Sequence, residues 1–275
     1  MARKVLVLVL LAALFPAVGS AVWGGSVDAA HPQVGAMYFD FLDTGHPTVD
    51  GLICSGSYAG ESKDGRYDVF LSAGHCMPPP EIDPTDLYVS FDSNAGSTST
   101  GDPVSNPIQV LGFALMPGFG HDAGDYRDLG LLFLPKDSVP ASITPVQLAP
   151  AGYLDALKAA GTLKFRIVDI VGYGVVPDWD SPGPTSFGFD GKRRSGTTII
   201  SGLTASQVHY RQNNGVGTGS GVCFGDSGSP QLDRGTLRVV SVTSGGNGQC
   251  NANNTNYRVD SPQSRAFLGQ YLNLP

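Results

Sequence analysis

The stretch that decides the fold is Cys223-Phe224-Gly225-Asp226-Ser227-Gly228-Ser229-Pro230, near the C-terminal end of the chain. It places a serine between an aspartate and a glycine, in a glycine-rich segment that predicts a tight turn. A serine hydroxyl is a poor nucleophile until a neighbouring base takes its proton, and histidine is the usual base. Glycine, aspartate and serine are also common turn formers, so the stretch alone is compatible with a plain β-turn.

A second stretch, Leu71-Ser72-Ala73-Gly74-His75-Cys76, supplies a histidine much earlier in the chain. A serine, a histidine and a carboxylate that orients the histidine together predict nucleophilic acyl transfer. The α/β-hydrolases are excluded, because their elbow needs Gly-x-Ser-x-Gly and a later histidine. Here Ser229 takes the place of the last glycine and no histidine follows Ser227. Lipase-like esterases carry Gly-Asp-Ser near the N-terminus, which this chain does not.

Composition favours a β protein. The 275 residues include 37 glycines and 20 prolines, and only 15% are charged, which predicts many turns and few long helices. Short alternating or apolar runs recur between turn signals, as in β-sandwiches and β-barrels. Clear examples are Val34–Phe41, Val69–Ala73, Leu129–Leu134 and Leu237–Thr243. We therefore predict an all-β fold.

A proline-rich segment divides the chain into two β units. Prolines recur from Pro135 to Pro150 without apolar periodicity, which indicates a connector over residues 135–150. The N-terminal unit is expected at about residues 30–135 and the C-terminal unit at about 151–260. Because His75 precedes the connector and Ser227 follows it, a site that uses both must lie in the cleft between the units.

Helical patterns are rare. Tyr153–Ala160 is one short candidate, ended by Gly161. Residues 261–272 predict a short terminal helix, with Ser261 as N-cap and Pro262 at its first position.

Residues 1–21 have the pattern of a secretory signal peptide. Arg3 and Lys4 are followed by the apolar run Val5–Phe15, and Pro16 ends it. The run is too short to span a bilayer as a helix. We expect a secreted, extracellular protein whose mature domain covers residues 22–275 and begins at Val22.

The charge balance argues against two classes of partner. Without Arg3 and Lys4 the chain has 24 acidic and 15 basic residues, a net charge of −9. A net negative charge disfavours binding to nucleic acid and to anionic membrane surfaces. We therefore expect neither partner.

Four cysteines in a secreted chain predict two disulfides, for which three connectivities are possible. The sequential pairing, Cys54 with Cys76 and Cys223 with Cys250, is the one we choose. No pair has CxxC spacing, so a zinc site is not expected. No metal or other cofactor is predicted.

Read together, the motifs make the chain similar to the trypsin/chymotrypsin family of serine proteases. The resemblance covers essentially the whole chain after residue 21, with histidine, aspartate and serine motifs in family order. Besides the two stretches above, it rests on Val22-Trp23-Gly24-Gly25, Cys54-Ser55-Gly56-Ser57, Asp128-Leu129-Gly130-Leu131-Leu132, Gly172-Tyr173-Gly174, Ser244-Gly245-Gly246 and Tyr257-Arg258-Val259.

The resemblance implies two packed antiparallel β-barrels and a catalytic triad. Ser227 would be the nucleophile, His75 the general base and acid, and Asp128 the carboxylate that orients the imidazole. Asp122 and Asp125 compete for the last role, but only Asp128 directly precedes an apolar, strand-like run that would anchor it beside a buried histidine.

Two further features come with the resemblance. The backbone N–H groups of Gly225 and Ser227 would form the oxyanion hole. Asp226 would pair with the α-ammonium of Val22 once the chain is processed. No arginine or lysine lies between the apolar run and Val22, so we expect cleavage after Ala21 by signal peptidase itself to create this terminus.

The resemblance places the primary substrate pocket at Gly221, Val222, Ser244 and Gly246. No aspartate stands at Gly221 to pair with a basic side chain, so we expect an open, apolar pocket and cleavage after uncharged residues. Ser229 departs from the family, which usually has glycine there, and its backbone must avoid angles that only glycine adopts.

These observations predict a secreted serine endopeptidase acting on proteins or peptides, with proteinaceous inhibitors as further partners and a monomeric state. Two alternatives stay open: a catalytically inactive binding protein on a protease fold, and a secreted esterase. The first would not react with serine-trapping reagents, and the second would hydrolyse small esters but not proteins.

Overall fold

A computed structural model of the protein describes residues 22–41, 44–79, 83–96, 101–122, 124–178, 185–212 and 219–275. The expected signal peptide, residues 1–21, lies outside this part of the chain. Within it, two α-helices are present: α1 (Tyr153–Ala159) and α2 (Pro262–Leu268). The strands there are β1 (Ser26–Val27), β2 (Val34–Phe39), β3 (Leu52–Glu61), β4 (Tyr67–Ser72), β5 (Leu87–Ser90), β6 (Ile108–Gln109), β7 (Gly112–Leu115), β8 (Gly130–Pro135), β9 (Gln147–Leu148), β10 (Ile167–Gly172), β11 (Val176–Asp178), β12 (Ser186–Gly188), β13 (Arg194–Leu203), β14 (Gln207–Arg211), β15 (Pro230–Asp233), β16 (Arg238–Gly245) and β17 (Asn253–Arg258).

The N-terminal unit is a seven-stranded antiparallel sheet in the order β6-β5-β2-β3-β4-β8-β7. Its central strands carry buried apolar residues on both faces; Val69, Phe70 and Leu71 of β4 are all fully buried. Strands covered on both sides lack simple alternation, which is why these runs are almost continuously apolar. β3 and β4 pair as an antiparallel hairpin joined by a polar turn.

The C-terminal unit closes into a barrel. Its strands follow the order β13-β10-β15-β16-β17-β14, and β14 also pairs with β13. Closure leaves no free edge along this circuit. The all-β class predicted from composition and strand pattern is confirmed.

Two short strands cross the expected boundaries. β1 pairs with β13, so the segment after Val22 joins the C-terminal sheet. β9 lies inside the predicted connector, residues 135–150, and pairs in parallel with β16. The connector is therefore partly built into the second sheet, because its Gln147 and Leu148 reach an open position beside Arg238 and Val239.

The terminal helix begins as predicted and ends earlier. The side chain of Ser261 accepts a hydrogen bond from the Ser264 amide, and Pro262 occupies the first turn. α2 ends at Leu268 rather than at residue 272, and the last residues form a turn in which the Leu272 amide still bonds the Leu268 carbonyl. This turn lies against the N-terminal unit, where the rings of Tyr271 and Phe133 are 5.4 Å apart.

Arg193 connects the two units from within. It is 2% exposed, and its guanidinium donates to the carbonyls of Val34 and Phe91 and to the Tyr173 hydroxyl at 3.0–3.1 Å. Asp28 compensates its charge at 3.2 Å. The expected cleft therefore lies between two units whose relative position is held by buried polar contacts.

No helix among the residues described above is both long and apolar enough to cross a membrane.

Candidate active site

His75 lies in a short turn directly after β4. The turn, Gly74–Cys76, is a single 3₁₀ segment, and Cys76 is bonded to Cys54 of β3 by a disulfide. Gly74 has to be small, because a Cβ there would approach Phe119 to 2.9 Å and the Asp128 carboxylate to 3.2 Å. The disulfide and the close packing at Gly74 together fix the backbone from which the imidazole projects.

Asp128 holds this histidine at two points. Its Oδ1 accepts the main-chain N–H of His75 at 2.8 Å, and its Oδ2 lies 2.9 Å from His75 Nδ1. Ser244 Oγ also donates to Oδ2. The Asp128 side chain is 4% exposed while that of His75 is 35% exposed, so the carboxylate is shielded and the imidazole is accessible. Bonded in this way, the Nδ1 position carries the hydrogen and Nε2 is left as the basic nitrogen.

The two competing aspartates are occupied elsewhere. Asp125 accepts the hydroxyl of buried Tyr257 at 2.7 Å, and Asp122 accepts the amide of Gly124 at 2.8 Å. The geometry thus selects Asp128 as the partner of His75.

Ser227 lies at the tip of a turn that crosses from the C-terminal unit to the N-terminal one. Its carbonyl accepts the amide of Ser55 at 2.8 Å, and the amide of Gly228 donates to Thr243 at 2.8 Å. Gly228 has φ +78°, and a Cβ there would approach the Ala73 amide to 2.7 Å. Ser227 is therefore placed beside the segment that carries His75, although no hydrogen bond between Ser227 Oγ and His75 is present in the structure described. Catalytic hydrogen bonds are often long without substrate and tighten on binding.

The turn leaves two N–H groups without an internal partner. Within the described residues, neither the Gly225 nor the Ser227 amide donates a hydrogen bond, whereas the Asp226, Gly228 and Ser229 amides all do. The Gly225 carbonyl is held by Ser55 Oγ at 2.8 Å, which fixes its orientation. Gly225 has φ +87°, and a Cβ there would press on Gly174 and Leu52 at 3.1 Å. Two unengaged donors in a rigid turn can stabilise a negative charge.

Asp226 points away from the cleft into the interior and is fully buried. Its carboxylate accepts the amides of Cys223 at 2.9 Å and Gly174 at 2.8 Å, and a further hydrogen bond comes from the Val22 amide. Burial raises the pKa of Asp226 to about 7 in spite of these bonds. The two members of the expected activation pair, Val22 and Asp226, are thus in direct contact.

Ser229 has a specific partner. It is fully buried, and its Oγ lies 2.8 Å from Thr243 Oγ1. Thr243 also accepts from Gln231 at 2.6 Å, so Ser229 belongs to a buried polar cluster inside the C-terminal barrel. Its φ is not positive, which agrees with the expectation that this backbone avoids angles reserved for glycine.

A buried polar side chain lies beside the residues of the expected substrate pocket. Cys223 is bonded to Cys250, which brings the Gly221–Cys223 segment beside the Ser244–Gly246 segment. Between them stands Gln212, which follows β14, is 3% exposed and bonds both the N–H and the carbonyl of Val222. The buried amide of Asn254 faces the same gap, since a Cβ on Gly246 would lie 3.8 Å from both Asn254 Nδ2 and Gln212 Nε2. Gln212 thus adds a buried amide beside residues of the expected pocket, and it comes from a strand end with no motif to mark it.

A groove of about 450 Å³ runs from His75 along Ser244 and Gly246, two residues of the expected pocket. Phe119 and Tyr126, from the loop before Asp128, line it opposite Gly245 and Gly246. Sequence reasoning missed both aromatic residues; their place just ahead of the aspartate motif was the available signal.

The ligand atoms of Cys54, His75 and Cys76 lie within 4.8 Å of one another. The two sulfurs are bonded to each other, so they are not thiolates and cannot ligate a metal. The residues present at this point thus fit a disulfide that braces the histidine turn.

Comparison with known proteins agrees with the geometry. The trypsin family model matches residues 25–266. A search of curated protein sequences finds no match. Among solved structures, a collagenase described as HL collagenase shares 15% identity, with a TM-score of 0.58 over 90% of this chain and 95% of that one. At this identity the likeness shows the fold alone, which is chymotrypsin-like, as predicted. Because the trypsin family model matches residues 25–266, nearly the whole described domain, this chain is a member of the trypsin family.

Proposed function

We propose that the protein is a secreted serine endopeptidase that cleaves peptide bonds through Ser227, His75 and Asp128. The observation that carries the proposal is the pair of hydrogen bonds from Asp128 to the ring and the main chain of His75, at 2.9 and 2.8 Å. They leave Nε2 of the 35% exposed His75 side chain as the available base.

In the first step Ser227 Oγ attacks the carbonyl carbon of the substrate, and His75 Nε2 takes the hydroxyl proton. The negative charge that develops on the carbonyl oxygen is held by the free N–H groups of Gly225 and Ser227. The C–N bond then breaks, the proton passes from His75 to the leaving amine, and an acyl-enzyme remains. A water molecule, deprotonated by His75, hydrolyses the ester and regenerates Ser227.

The pocket supports a preference for uncharged side chains. Its walls at Gly221, Val222 and Gly246 carry no charge, and the polar groups beside them are amides. A basic or acidic side chain entering there would lose its hydration without gaining an ion pair. The substrates we propose are proteins or peptides that expose uncharged residues.

Activation is proposed to follow removal of residues 1–21. Val22 already contacts buried Asp226 as a peptide amide, and cleavage after Ala21 would turn this amide into an ammonium beside the carboxylate. N-terminal sequencing of the secreted, active protein tests this step: a start at Ser20, or well beyond Val22, excludes it.

The decisive experiment for the activity uses a fluorophosphonate probe on the secreted protein, followed by digestion of casein. We expect labelling at Ser227 that is lost in Ser227→Ala, and casein cleavage that is lost with it. Ser186→Ala, which changes an exposed serine in β12, is the matched control and should label as the unaltered protein does.

The other outcomes identify the rival functions. Correctly processed protein that takes no label would be an inactive binding protein on this fold. Labelling at Ser227 with hydrolysis of p-nitrophenyl acetate, but with casein and peptide libraries left intact, would indicate an esterase.

A further inference from the structure

The amide of Gln212 lies between the two segments that are expected to form the walls of the primary pocket. Its Oε1 accepts the Val222 N–H at 2.9 Å, and its Nε2 donates to the Val222 carbonyl at 3.2 Å and to the Cys250 carbonyl at 3.4 Å. The side chain therefore spans from one wall of the pocket to the segment that continues the other. With 3% of the residue exposed, it is held in place by these three bonds.

The space on either side of this amide is small. A Cβ built on Gly246 would lie 3.8 Å from Gln212 Nε2 and 3.8 Å from Asn254 Nδ2, which is ordinary van der Waals contact. The gap between Gly246 and Gln212 thus holds about one carbon atom. On the other side, a Cβ on Gly221 would come within 2.7 Å of Gln212 Cβ and would overlap the Trp23 ring, so the base of the pocket is filled.

The remaining surface of the pocket is polar and uncharged. Asn254 of β17 is buried near Gly246, as Gln212 is, and its Oδ1 accepts a hydrogen bond from buried Asn256. Gln212 has one acceptor lone pair left after its bond from Val222, and Asn254 Nδ2 makes no hydrogen bond within the described residues. A large apolar side chain would therefore meet both a steric limit and amide groups that lose contact with water.

We propose that Gln212 determines specificity by filling the primary pocket, so that only small, uncharged side chains, those of glycine, alanine and serine, fit at the cleaved bond. This inference rests on the proposed protease function and narrows it to one class of substrate. It assigns Gln212 a role in binding and no part in the chemistry at Ser227.

The test measures kcat/KM for tetrapeptide anilides that differ only in the residue before the cleaved bond: glycine, alanine, leucine, phenylalanine and arginine. We expect alanine to exceed leucine and phenylalanine by at least about tenfold, within the range of about 10–200-fold that one methylene group commands in a pocket. Gln212→Ala should shrink that ratio at least about tenfold by raising the values for leucine and phenylalanine. Gln212→Met, which keeps the volume without the amide, should retain the order of the unaltered enzyme.

Two further variants complete the design. Gln270→Ala, an exposed glutamine near the C-terminus, is the matched control and should leave every value unchanged. Gly246→Ala should close the remaining gap, so that cleavage after alanine falls at least about tenfold while cleavage after glycine persists. This prediction holds even if Gln212→Ala fails to fold, since it does not need that variant.

Active-site titration with the fluorophosphonate probe distinguishes failure of the proposed protease function from failure of the proposed role of Gln212. Labelled enzyme that cleaves equally well after leucine, phenylalanine or arginine overturns the inference about Gln212 and leaves the protease function standing. An unchanged profile in Gln212→Ala together with normal cleavage by Gly246→Ala overturns it as well. Absence of both labelling and cleavage refutes the protease function, and the inference falls with it.

Discussion

At the residue scale, the site depends on which of two neighbouring aspartates, Asp128 or Asp125, bonds His75. The Asp128 carboxylate bonds the ring and the main-chain N–H of His75 and accepts the hydroxyl of Ser244. Asp125 accepts the hydroxyl of Tyr257 instead. Both aspartates lie in the same short stretch of sequence, yet only one can affect the imidazole. Substituting Asp128 and Asp125 in turn therefore distinguishes loss of the bond to His75 from a general change in the surrounding loop.

Asp128→Asn should reduce kcat by about 10⁴-fold, because an amide that donates to Nδ1 favours the wrong imidazole tautomer. The measurement is turnover of a peptide anilide near neutral pH, with circular dichroism as evidence of folding. Asp125→Asn is the control, and it should cost less than about tenfold. A folded Asp128→Asn variant that keeps a tenth of the activity would assign the histidine to another carboxylate.

Ser229→Ala should lower stability without removing activity. The change deletes one buried hydrogen bond and leaves Thr243 with its bond from Gln231, so the expected loss is about 1 kcal/mol in the free energy of unfolding. Urea denaturation of an inactive Ser227→Ala background measures it, with Ser186→Ala as the surface control. A stability equal to that of the background would mean that Ser229 adds nothing to this polar cluster.

At the scale of elements, the turn between Cys223 and β15 is the part of the molecule that takes part in both the proposed processing and the proposed catalysis. It presents two free N–H groups on its outer side and the buried carboxylate of Asp226 on its inner side. A charge at Val22, which faces Asp226, therefore acts on the same turn that holds Ser227. The pH dependence of stability should therefore differ between the unprocessed and the processed chain.

In the unprocessed chain, Asp226 should make stability fall as the pH rises. Its folded pKa, about 7, lies above the value of 3.8 expected without burial, so the folded state binds the extra proton between these two values. The contribution is fully present below about pH 4 and is lost as the pH rises through about 7. In the processed chain the Val22 ammonium stabilises the carboxylate, so this loss should disappear.

Urea denaturation between about pH 4 and pH 8, in a Ser227→Ala background, tests the sign of this effect. Asp226→Asn should flatten the profile of the unprocessed chain, and Asp83→Asn, at an exposed turn, should not. Identical profiles before and after processing would contradict the proposed pairing with Val22.

At the scale of the whole molecule, the relative position of the two units depends on buried polar bonds. Arg193 and Tyr173 from the C-terminal unit reach carbonyl groups of the N-terminal one, and Ser55 bonds the turn of Ser227 across the same boundary. The proposed catalysis requires this alignment, because His75 and Ser227 come from opposite units.

Arg193→Leu should destabilise the protein by about 3–5 kcal/mol, since it removes a buried guanidinium from Asp28, which keeps its bond to His31, and from the carbonyl groups of Val34 and Phe91. Arg66→Leu is the control: its ion pair with Asp64 is exposed, and the change should cost less than about 1 kcal/mol. Equilibrium unfolding in urea measures both variants. A cost for Arg193→Leu no larger than that of Arg66→Leu would show that apolar packing alone aligns the units.

Most of the chemistry could be predicted because it depends on local motifs. The glycines around Ser227, the cysteine beside His75 and the cap at Ser261 act within a few residues of themselves, so their spacing is visible in the chain. The pairing of the cysteines that we chose is the pairing in the structure. The end of the last helix was misplaced, since apolar residues continue past Leu268 and pack from a turn instead.

By itself, the sequence determined the all-β class, the order of histidine, aspartate and serine, and the family to which these motifs belong. Only the tertiary structure decided that β1 and β9 join the second sheet, that β13 and β14 close it, and that Gln212 bonds Val222. The physical reason is distance along the chain. A turn or a cap is stabilised by neighbours, whereas the contents of a pocket depend on which distant strand ends the fold brings to the same point.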